Sequence, residues 1–228
     1  MSDSIPATAA DLQLSPNAFE LLDGLAGDNS RTWYDAHGDD FKADVRTPFA
    51  RILEASTAAL ASTAIPLKGS TKTMFRQHRD TRFSADKRPY SEYVAGVMTP
   101  SGSRREDEGV LYLRLDASGG FVSAGFKLRK ASEMTPMRQR MIEEPESFRH
   151  VLSDLHEVGL DLSRDGALSG MPRGFSHYRD HEFSDYLRLP SLLATRTLAP
   201  AHWTERDIVD TVVQHAHACE KLLRFGQG

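Results

Sequence analysis

The chain is 228 residues long, 39% hydrophobic and 26% charged, with a formal net charge of −4. Those values exclude a disordered chain and leave room for one well-buried core. No apolar run approaches the ~20 residues of a membrane span, and a single cysteine, Cys219, excludes an internal disulfide and implies a reducing, cytoplasmic setting.

Residues 1–14 have no basic leader followed by an apolar block, so they read as a disordered tail rather than a secretory signal. Ser15-Pro16 starts a helix, its hydroxyl able to cap and its proline suited to the first turn, and Phe19, Leu22 and Leu25 follow at helical spacing until Gly27. Asn29 or Ser30 caps a longer helix with Trp33, Phe41, Val45, Phe49, Ile52 and Leu53 on one face. Pro48 lacks the N–H needed one turn back and predicts a kink or break there. The helix continues over 55–64 and ends at Ile65-Pro66.

Beyond residue 90 the period changes from helical to alternating, predicting strands over 92–98, 110–115 and 121–128, the last two joined by a Ser118-Gly119-Gly120 turn. In the second strand Leu111, Leu113 and Leu115 share one face and Tyr112 and Arg114 the other. Gly125 marks a bulge, or a place where a ligand or another backbone comes close. Helices return from Ser132 or Pro136 to Ile142, and from Pro145 to a stop at Gly159. Residues 160–181 are loop-rich, and 187–198 read as a strand that Pro190 weakens. Thr204 and Asp207 resemble a capping box opening a last helix, with Ile208, Val212, Ala216, Cys219 and Leu223 on one face. Helices, strands, then helices predict a single α+β domain over 15–228: a central antiparallel sheet with N-terminal and C-terminal helices packed on it.

Between the first helices and the sheet lies KTMFRQHRDTRFSADKRPY, residues 72–90. It holds six basic residues (Lys72, Arg76, Arg79, Arg82, Lys87, Arg88) against Asp80 and Asp86, a balance of +4 in a chain that totals −4. Arginine forks converging from one segment suit a phosphate or carboxylate, with the aspartates holding them in place or acting as bases. If 75–80 is extended, Arg76, His78 and Asp80 fall on one face and Phe75, Gln77 and Arg79 on the other. The structural reading of the same residues is a salt-bridge cluster, Arg82 with Asp86 and Arg79 with Asp80.

Nine histidines are present, but His177 and His181 lack a third ligand at fixed spacing, and His215 and His217 point to different sides of a helix. No metal site is predicted. No phosphate-loop, dinucleotide, nucleophile-elbow or Cys-x-x-Cys motif occurs, so no cofactor is specified.

These motifs resemble the DUF2461 family, bacterial and fungal proteins of unknown function. The resemblance rests on Phe75, Arg76, Arg79, Asp80, Arg82, Phe83, Ser84, Asp86, Lys87, Pro89 and Tyr90; on Asn29, Arg31, Trp33 and Tyr34, where Tyr34 replaces the usual Phe; on the glycine hairpin; and on Pro172, Gly174, Phe175 and His181. Lys127-Leu128-Arg129-Lys130 departs from the family's proline-bearing turn. The family name implies no reaction.

The leading expectation is therefore a small anionic ligand, bearing phosphate or carboxylate, held between 76–88 and 119–130. Arg76, Arg79 and Arg82 clamp it, Lys87 and Lys127 add charge, Tyr90 and His181 complete the binding set, and Asp80 or Asp86 orients the cations or serves as general base. One alternative is a nucleic-acid module using also Arg104, Arg105, Arg129 and Lys130, with Tyr90 or Phe83 stacking, against which stands a pI near 6.1. The other is a non-catalytic interaction protein whose charged cluster is internal glue.

Overall fold

A computed structural model of the protein describes residues 12–104, 109–127, 131–205 and 207–227. The N-terminal half is helical: α1 (Pro16–Gly27), α2 (Arg31–Asp40) and α3 (Thr47–Leu60). Phe41, Val45, Phe49, Ile52 and Leu53 are fully buried along one side of the α2–α3 run, as their spacing requires. Pro48 does not break that run. A π-helical turn, Phe41–Arg46, precedes it, the Thr47 N–H reaching back five residues to the Lys42 carbonyl, and Pro48 falls in the first turn of α3, where its missing N–H costs least. The helix stops at Leu60, a turn earlier than the sequence suggests.

The strands are β1 (Tyr93–Met98), β2 (Val110–Asp116), β3 (Phe121–Phe126) and β4 (Leu192–Thr197). They form one antiparallel sheet in the order β1-β2-β3-β4. The β2–β3 turn needs its glycines: Gly119 and Gly120 have φ of +108° and +97°, and a Cβ on either would run into backbone. β4 is an edge strand, which accommodates Pro190 just before it.

Helices cover one face of this sheet. Leu111, Leu113, Leu115 and Val122 share a core with α1, α3 and α8 (Ile208–Ala218), while Ala124, Phe126, Leu192 and Ala194 share a second with α4 (Thr135–Glu143), α5 (Pro145–Glu157) and α9 (Glu220–Gln227). Short helices α6 (Ser184–Leu187) and α7 (Pro200–Thr204) complete the order. The opposite face, bearing Tyr93, Tyr112, Arg114 and Phe121, stays half-exposed. The last predicted helix is thus three pieces. Thr204 closes α7, Asp207 makes no side-chain cap, and the bend at Cys219 lets one stripe serve both cores, Val212 and Ala216 in the first, Cys219 and Leu222 in the second.

Ser15 likewise makes no side-chain cap. Of the predicted tail, residues 1–11 lie outside the described residues, but Leu14 belongs to the core, 2% exposed, its N–H donating to the Trp203 carbonyl at 2.9 Å. No helix among the described residues is long and apolar enough to cross a membrane.

Candidate functional site

The chain leading into the basic segment runs along the free edge of β1, with single antiparallel bridges at Lys68 to Thr99, just past the strand, and at Met74 to Gly96, and beyond them the segment pairs with its own end at His78 to Tyr90. Between the last two the chain bends, and the strict alternation expected from the sequence is lost. Gln77 turns inward, 4% exposed. Its amide nitrogen donates to the Ser91 carbonyl, and its amide oxygen accepts from Arg46 Nη1 at 3.2 Å. Arg46 ends the π-helical turn, so the helical irregularity ahead of Pro48 supplies the arginine that pins this bend. Gln77 occupies an undefined position of the family motif, so nothing in the motif marks it.

The charges then pair in a way the sequence can explain after the fact. Asp80-Thr81-Arg82 and Asp86-Lys87-Arg88 are each an Asp-x-Arg unit. In both, the carboxylate accepts the backbone N–H two residues on, at 3.2 and 3.1 Å, and the same arginine folds its guanidinium onto that carboxylate, at 2.7 and 2.8 Å. Arg79 crosses to Asp86 at 2.7 Å and to the Arg88 carbonyl at 3.1 Å. The pairs are therefore Arg82 with Asp80 and Arg79 with Asp86, the reverse of those expected, because a two-residue turn brings partners together more readily than a longer loop.

Beneath the segment, against the half-exposed sheet face, lies a cleft of about 870 Å³. Arg76, His78, Arg79 and Asp80 line it from the segment, Tyr93, Ala95 and Val97 from β1, Val110 and Tyr112 from β2, and Gly125 and Lys127 from the end of β3, with Arg104 closing one side. Gly125 is here because another backbone is close: at φ +133° its Cβ would meet the Leu192 carbonyl oxygen. A model of a family described as conserved hypothetical proteins, DUF2461, matches residues 17–225. The chain belongs to the DUF2461 family. No curated protein and no solved structure matches it.

In this DUF2461 chain the cleft gathers Arg76, Arg79, Asp80 and Lys127 of the predicted set and leaves out the rest. Arg82 is turned onto Asp80, and Lys87 donates to the Thr81 carbonyl at 3.0 Å. Tyr90 is buried, stacked 4.1 Å from Tyr34, and anchors the segment. His181 sits far along the chain on Tyr178 and Phe183, its Nδ1 accepting the Phe183 N–H at 3.1 Å. Asp86 lies behind Arg79. Arg105, Leu128, Arg129 and Lys130 are outside the described residues. Arg104, named only in the nucleic-acid reading, and Phe75, His78, Tyr93 and Tyr112 are the lining residues that the site prediction missed. For Tyr112 the signal was present, since alternation had already put it on the face opposite the leucines.

Among the described residues Arg76 and Lys127 make no hydrogen bond or ion pair. Arg79 uses only Nη1 in its bonds to Asp86 and Arg88, and Arg104 uses only Nη1, on the Met74 carbonyl at 2.9 Å. Each fork is braced through one nitrogen and keeps its remaining N–H groups without an acceptor among the described residues. The acids are the reverse case. Arg82 holds the Asp80 carboxyl below its usual range, and Arg88, with Arg79, holds that of Asp86 well below it. Carboxylates saturated in this way are weak bases, so of their two predicted roles the geometry favours orienting the arginines.

Proposed function

We propose that this DUF2461 protein binds a small phosphate- or carboxylate-bearing molecule in the cleft beneath residues 75–80. Arg79 and Arg104 act as pre-set forks, since their orientation is already fixed by bonds at the back, and Arg76 and Lys127 close on the anion from either side. One observation carries the reading: among the described residues four cations border a single cleft whose only carboxylate, Asp80, is already neutralised by Arg82. The same reading keeps the protein in the cytoplasm, where Cys219 stays reduced and small phosphorylated and carboxylated molecules are abundant.

The test is a thermal-shift screen against inorganic phosphate, nucleotides, sugar phosphates and di- and tricarboxylates, followed by calorimetry on Arg76→Ala. A ligand at 100 times its Kd adds about 2.7 kcal/mol, or roughly 5–10 °C in a chain of this size. Arg76→Ala should melt with the wild type yet bind any hit at least about 10-fold more weakly. A panel with no hit, or hits that Arg76→Ala retains at full affinity, overturns the reading.

A further inference from the structure

The cationic border is one part of the cleft, and the other is aromatic. Phe75 is 40% exposed, although a Phe flanked by Met74 and the β1 edge had every opportunity to be buried. Its backbone is held, the N–H donating to the Ala95 carbonyl at 2.8 Å, so the ring is displayed by a fixed strand and not by a loose loop. It meets Tyr112 at 6.0 Å between centroids, tilted by 48°, and Tyr112 in turn meets Phe121 at 5.7 Å. A half-exposed ladder of rings therefore leads along the open sheet face out of the cleft. The cations flank its first rung. Arg76 follows Phe75 in the chain, and Arg104 is bonded to the carbonyl of Met74, which precedes it.

We infer that the anion taken by this site is a nucleotide, its planar heteroaromatic base lying on Phe75 and Tyr112 while Arg76, Arg104 and Lys127 hold its phosphate. The inference rests on the anion-binding reading above and narrows it to ligands with a π face. Inorganic phosphate, sugar phosphates and tricarboxylates have none, and a site built only for them would gain nothing from an aromatic wall left in water. The aromatic end also carries a polar handle. The Tyr112 phenol has no hydrogen-bond partner among the described residues, and burial pushes its pKa up to about 12, so it stays neutral at any physiological pH and remains a donor for a group at the edge of the ring.

Calorimetry with AMP, GMP, CMP, UMP, adenosine, ribose 5-phosphate and inorganic phosphate tests this. At least one nucleotide should bind about 10-fold or more tightly than ribose 5-phosphate, the scale that stacking on an aromatic side chain supplies. Phe75→Leu, which keeps an apolar side chain at an already exposed position, should bring that ratio close to one without changing the affinity for ribose 5-phosphate. Arg76→Ala should weaken both alike. Equal binding of nucleotides and ribose 5-phosphate by the wild type overturns the inference and leaves the anion reading standing. Affinity for oligothymidylate that exceeds every mononucleotide and grows with strand length also overturns it, in favour of a single strand laid along the ladder. No binding by any of these compounds overturns the inference, and the anion reading then rests on the di- and tricarboxylates of the wider screen.

Discussion

Asn29 treats Tyr90, 61 residues away, as if it were a strand partner: its Oδ1 accepts the Tyr90 N–H at 2.9 Å and its Nδ2 donates to the Tyr90 carbonyl at 3.2 Å. The same Nδ2 reaches the Leu25 carbonyl at 3.2 Å, so one side chain ties the end of α1 to the end of the basic segment. Ser30, not Asn29, caps α2, its Oγ accepting the Trp33 N–H at 3.1 Å. Asn29→Ala leaves both backbone groups of a buried residue unpaired and should cost about 1–3 kcal/mol. Hydrogen exchange locates the effect: peptides spanning 72–90 should exchange faster while those spanning 110–126 hold. A uniform rise would mean that Asn29 merely stabilises the whole fold.

Such ties explain what was legible in the sequence and what was not. Elements whose identity rests on local period appear where they should: Leu111, Leu113 and Leu115 on one face of β2, Phe148, Val151 and Leu155 on the buried side of α5. The clustering of arginines could be read too, because it is a property of composition along the chain. The actual pairing could not, and neither could the cleft, since both depend on how the segment lies against β1. Arg82 and Lys87 satisfy themselves within their own turns, whereas Arg104 arrives from a loop distant in sequence. The final helix was misjudged for a different reason. Its apolar stripe runs on without interruption, and only the presence of two cores beneath the sheet calls for a bend at Cys219.

His215 makes the fold sensitive to mild acid. It is fully buried on α8, its Nε2 at 3.2 Å from the Ala194 carbonyl and its Nδ1 without a partner among the described residues, and burial pushes its pKa down from 6.5 to about 4. The unfolded chain therefore takes up a proton that the folded one refuses. Stability should be full above about pH 6.5 and fall as pH drops toward 4, by about 2 kcal/mol between pH 6.5 and 5. Urea unfolding of the wild type and His215→Gln across that range checks it. The variant starts lower but should show a flatter pH dependence, and parallel curves would assign the acid sensitivity elsewhere.

Cys219, one turn further on and also buried, should be chemically silent. Burial pushes its thiol up to about 12, so little thiolate exists near neutrality, and no reagent reaches it in the folded state. Labelling with a thiol-specific disulfide reagent should proceed only as the protein unfolds, with a denaturant dependence that tracks the loss of helical signal. Fast labelling of the native protein would show that α8 and α9 separate at Cys219.

Arg82 should affect ligand binding without touching the ligand. Its guanidinium is outside the cleft and closes on Asp80, whose carboxylate is a lining group, through bonds of 3.0 Å to Oδ1 and 2.7 Å to Oδ2. Arg82→Ala would expose a bare negative charge to an incoming anion and should weaken binding about 2- to 5-fold, the range open to a solvent-exposed pair. Asp80→Asn alone removes that repulsion and should bind no worse than the wild type. In the double variant the loss from Arg82→Ala should disappear, since no charge remains to be neutralised. Arg76→Ala behaves differently in the same cycle: its loss should persist in the Asp80→Asn background, because Arg76 is proposed to meet the anion itself. If the Arg82 loss also survived in the double variant, Arg82 would have to contact the ligand directly, and the loop spanning 80–88 would need to fold over the cleft when it binds.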